Sequence, residues 1–126
     1  MVVPAAPSGE GSSVARDEVE AAYFALLRAR EELDALRRYD EYLLAEAQRL
    51  RRTTSEGDAL LAAVDRRLTR ALRHTDQPLA HAVTARLAAI ADERERLPER
   101  IAAADAFVAA CERDHTARRS ARRSGE

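Results

Sequence analysis

The chain has 126 residues, 46% hydrophobic and 34% charged, and its 21 basic residues, all Arg, against 22 acids leave a net charge of −1. That balance excludes a global attraction to polyanions, and a single cysteine excludes an internal disulfide. No apolar run approaches the ~18 residues a bilayer span needs, and residues 1–13 lack the charged start and hydrophobic stretch of a signal peptide, so the expected setting is cytoplasmic.

In chain order, residues 1–13 carry Pro4, Pro7, Gly9, Gly11 and three Ser with almost nothing to bury, and they read as a disordered leader. A first helix is expected over about 14–53. Asp17 followed by Glu20 gives a capping-box-like start, and acids in the first turn suit the positive end of the helix dipole. An apolar seven-residue repeat runs through this helix. Val19, Leu26, Leu33 and Ala47 fall at one position, Ala22, Ala29, Leu36, Leu43 and Leu50 at the other, and Asp40 alone breaks the run. Thr53, Thr54, Ser55, Glu56 and Gly57 then read as a stop.

A shorter second helix is expected over about 58–74, opened by Ser55 with Asp58 and striped by Leu61, Val64, Leu68, Ala71 and Leu72. Thr75 to Pro78 combine a capping side chain with a proline suited to a first turn, which predicts a third helix over about 77–115. Its ladder is Val83, Leu87, Ile90, Leu97, Ile101, Ala104, Val108 and Cys111, with Arg94 the one break. Pro98 interrupts the hydrogen bonding, but the heptad phase continues across it, so a kinked helix is expected rather than a new one. Residues 117–126 form a basic disordered tail.

Stripes spaced alternately three and four residues apart mean helices that zip together lengthwise. The expected fold is therefore all-α, an elongated coiled-coil-like bundle of three helices spanning 14–116, with the two long helices antiparallel and the short one across the tip. In that register residue 54 lies beside residue 76, and Asp40 comes within a helical turn of Arg94 as a buried ion pair. If the short helix instead folds back on the first, two apolar stripes are left bare for a partner.

Charge is segregated. From 10 to 48 there are five Arg against ten acids, from 49 to 86 eight against four, from 87 to 117 four against seven, and from 118 to 126 four against one. Arg49, Arg51, Arg52, Arg66, Arg70 and Arg73 near the turns, and Arg118, Arg119, Arg122 and Arg123 in the tail, are the candidate contacts to anions or nucleic acid. The favoured reading is that these arginines satisfy neighbouring acids, since no base-stacking aromatic lies near the turn cluster. Tyr39 and Tyr42 beside Asp40 are the candidate anchor for a protein partner. Cys111 and His115 share a face, yet two ligands fall short of a zinc site and Cys111 holds a core position, so no metal is expected. No phosphate loop, nucleophile elbow, metalloprotease motif or C-x-x-C occurs, so neither a catalytic site nor a cofactor is expected.

The expected role is non-enzymatic: a scaffold that self-associates, most simply as a homodimer, and binds a protein partner through its coiled-coil faces. Nucleic-acid binding through the Arg-rich turn and tail is the alternative.

Overall fold

The computed structural model describes the backbone of residues 8–125 and side chains from Ser13 onward. The described chain is 97% helix, in two helices packed as a hairpin rather than three. Helix α1 runs Ser8–Ala62 and α2 runs Arg66–Gly125.

The stop expected at 53–57 does not occur. Thr53 and Thr54 turn their hydroxyls back onto the carbonyls of Arg49 and Leu50, at 3.0 and 2.9 Å, so both remain inside the helix. Gly57 lies within α1, and no described glycine has positive φ. The second expected boundary, at 75–78, is also absent. The Thr75 hydroxyl bonds back to the Ala71 carbonyl at 2.9 Å, and Pro78 and Pro98 both lie inside α2.

The one reversal among the described residues is at Ala63, Val64 and Asp65. The amides of Ala63 and Val64 close it by bonding to the carbonyls of Leu60 and Leu61, and the Thr69 amide donates to the Asp65 carbonyl at 2.8 Å to begin α2. Asp65 stands just before the first helical residue, where Asp is a preferred cap. The Thr69 hydroxyl reaches across to the Leu61 carbonyl at 3.1 Å, binding the last turn of α1 to the first of α2.

The expected leader and tail are also helical where they are described. Residues 8–13 belong to α1, and residues 1–7 lie outside the described part. Residues 117–125 continue α2, consistent with the helix propensity of Ala and Arg and with Arg122 and Arg123 at the negative end of the helix dipole.

The chain divides into two units. In the first, whose described residues are 8–35 and 100–125, the core consists of Leu26, Ala29, Leu33 and Val108, with Ile101, Ala104 and Cys111 packed against it. In the second, residues 36–99 with the turn, the buried side chains are Leu43, Ala47, Ile90 and Leu97, and Leu43 and Leu97 are each only 1% exposed. All of these are positions of the two apolar ladders.

Candidate functional site

Within the second unit the heptad phase assigns every side chain a side. Counting from the ladders, Tyr39, Glu46, Thr53 and Leu60 on α1 and Leu72, Leu79, Arg86 and Glu93 on α2 occupy the flanking position of one edge of the helix pair. Arg51 and Asp58 on α1 and Arg70, Gln77 and Thr84 on α2 flank the other edge.

The first edge is marked directly by an ion pair between the helices. Arg86 Nε and Nη2 donate to the two carboxylate oxygens of Glu46, each at 3.0 Å, the two-pronged geometry of the stronger charged hydrogen bonds. Glu46 keeps only 11% of its side chain exposed. The Arg86 hydrogen bond holds its carboxyl below the ordinary value of 4.5, against a desolvation that works the other way. The Tyr42 hydroxyl and the charges of Arg86 and Arg49 add to the lowering. The Arg86 guanidinium is held above its own ordinary value, by its hydrogen bond to Glu46 first and by the carboxylate's charge second.

This edge carries large apolar side chains in water. Leu60 is 71% exposed and Leu79 62%, and Val64, Leu68 and Leu72 are exposed as well. The stripe expected to bury a separate second helix is therefore open, apart from half-buried Leu61. The reason is geometric. With the turn at 63–65, half-buried Gly57, Leu61 and Thr69 take the facing positions near it, and the remaining leucines fall beside that seam rather than in it. Their seven-residue spacing through Leu72, Leu79, Arg86 and Glu93 was present in the sequence. Breaks placed at Gly57 and Pro78 conceal it.

Tyr39 and Tyr42, the candidate partner anchor, are both exposed in this unit, and Tyr42 reaches Glu46. The other edge carries Arg51, Asp58, Arg70, Gln77 and Thr84 but also exposed Leu44, and apolar Ala80, Val83 and Leu87 enter its groove. It carries shallow grooves, one lined by Arg51, Asp58, Val83 and Thr84, and one by Arg51, Leu87, Arg94 and Glu95. Arg49, Arg51, Arg52, Arg66, Arg70 and Arg73 are all exposed in this unit.

Asp40 and Arg94 meet. Arg94 Nε donates to Asp40 Oδ1 at 3.0 Å, with 37% of the Arg side chain and 34% of the Asp side chain exposed. The pair is half-buried rather than buried, so much of each group's hydration survives beside the contact.

In the first unit Arg118 is engaged by the fold itself. Its Nε donates to both carboxylate oxygens of Asp114 at 3.1 Å and its Nη1 to Glu18 at 3.2 Å, while Arg30 donates to Glu112 at 3.2 Å. Arg119, Arg122 and Arg123 line a shallow groove with Val19. His115 lies against Tyr23 at 5.6 Å between ring centroids, Tyr23 touches Phe24, and Phe24 and Phe107 stand exposed. Among the described residues no group of three or more His, Cys, Asp or Glu side chains converges as metal ligands do, and no helix is long and apolar enough to cross a membrane. No family description, curated protein or solved structure matches the chain.

Proposed function

We propose that the chain is a non-enzymatic helical interaction protein of the cytoplasm, which self-associates, most simply as a homodimer, and binds a further protein along its helical faces. The observation that carries this reading is the run of exposed leucines in the second unit, since a contiguous apolar patch in water is the usual mark of a partner surface. The lone cysteine, at a core position of the ladder, fits a reducing compartment. Sedimentation equilibrium of the full chain tests the reading: association at micromolar concentration is expected, and a clean monomer across that range refutes it.

Nucleic-acid binding remains the second reading, because seven exposed arginines lie between residues 49 and 73 of the turn-bearing unit. A salt titration separates the two. Phosphate contacts produce a steep linear loss of log affinity with log salt, and a protein scaffold produces no binding to lose.

A further inference from the structure

We infer that the leucine-bearing edge of the second unit is the surface on which a second copy of this chain docks side by side and antiparallel, related by a two-fold axis. This rests on the self-association reading above and specifies its surface and geometry.

The two edges of the unit differ in kind. At matching heptad positions around the turn one edge presents Leu60, Leu72 and Leu79, with Leu68 adjacent, and the other presents Arg51, Asp58, Arg70, Gln77 and Thr84, with exposed Leu44 its one large apolar side chain farther out. A merely solvated helix pair has no reason to place leucine repeatedly on one edge and polar residues on the other. The leucines also occupy only the half of that edge nearer the turn. The half farther from it carries Tyr39 and Tyr42, with the Glu46–Arg86 pair between the two groups.

Such an edge complements itself under a two-fold rotation. With the axis at the level of about residue 51 on α1, Tyr42 of one copy comes level with Leu60 and Leu72 of the other, and the reverse contact follows by symmetry. Summed over both edges of the unit, with Arg51, Asp58 and Arg70 of the opposite edge included, charge favours the same direction. Residues 49–86 carry eight Arg and four acids, a net +4, whereas 36–48 and 87–99 together carry four Arg and seven acids, a net −3. Antiparallel copies set the positive half of one against the negative half of the other, and parallel copies set positive against positive.

The area suffices. From Tyr39 to Ala62 the edge is ~36 Å long at 1.5 Å per residue and two helices, ~20 Å, wide. That corresponds to roughly 700 Å² per copy and about 1,400 Å² in total, within the range of specific interfaces.

The test uses the full chain. Leu60→Glu combined with Leu72→Glu is expected to weaken dimerisation at least ~10-fold in sedimentation equilibrium, and Gln77→Glu combined with Thr84→Glu on the opposite edge to leave it unchanged. In a Cys111→Ser background, Thr53→Cys, close to the axis, is expected to cross-link to itself on oxidation, and Leu68→Cys, near the turn, is not. A dimer that withstands the double Leu→Glu change overturns this surface while leaving self-association standing. A wild-type chain that stays monomeric overturns both. Self-cross-linking at Leu68→Cys and not at Thr53→Cys overturns the antiparallel geometry. If the double Glu variant loses its helical circular dichroism, the cross-links still decide, because Thr53→Cys alters no apolar side chain.

Discussion

Replacing Gly57 with Ala separates a helix that runs through residues 53–57 from one that stops there. Gly57 sits inside α1 without a positive φ, and a Cβ built on it meets no heavy atom within 4 Å. The methyl group therefore causes neither a clash nor backbone strain, and the effect reduces to helix propensity, in which Ala exceeds Gly by about 0.8–1 kcal/mol. For a chain of this size that gain raises the Tm by roughly 4 °C. Thermal unfolding followed by circular dichroism at 222 nm provides the global value, and amide exchange across 51–62 the local one, with protection expected to rise about 4- to 5-fold. A fall in Tm by a similar amount refutes the reasoning, because a glycine ending a helix in the left-handed conformation resists a side chain.

Three further outcomes are expected. In a double-mutant cycle read by urea unfolding, Asp40→Leu and Arg94→Leu are each expected to destabilise alone and to recover much of the loss together. The half-exposed pair implies a coupling of about 1 kcal/mol, at the top of the surface range and well below buried pairs, and additivity within ~0.3 kcal/mol means no interaction. Pro98→Ala restores an amide donor to the Arg94 carbonyl inside α2 and is expected to stabilise by up to about 3 kcal/mol, whereas a lower Tm shows that the packing uses the proline. Glu46 is held below its ordinary 4.5 when folded, so its contribution is present above that pH and disappears as pH falls through the lowered folded value. The Tm difference between wild type and Glu46→Gln is therefore expected to shrink on acidification below about pH 4.5, and a constant difference excludes the linkage.

How much was legible depends on the range over which each signal acts. The residues that become the core, from Ala22 and Leu26 to Leu97 and Val108, were all present in two ladders with alternate three- and four-residue spacing. That spacing by itself determined an all-helical chain with two long apolar seams, because only helices bring such positions onto one face. The two breaks in the ladders, Asp40 and Arg94, were equally visible, and the structure brings them together at 3.0 Å. What only the tertiary structure decided was where the chain turns back. The Thr53–Gly57 and Thr75–Pro78 clusters are local signals, each worth a few tenths to about 3 kcal/mol. The helices continue through both, with the hydroxyls of Thr53, Thr54 and Thr75 bonded back to helix carbonyls. The reversal itself lies at Ala63 to Asp65, and the bond from the Thr69 hydroxyl to the Leu61 carbonyl across it exists only once the two helices lie side by side. The exposure of Leu60, Leu72 and Leu79 follows from that position: hydrophobicity alone marks them for burial, and only the pairing of the helices places them beside the seam instead of within it.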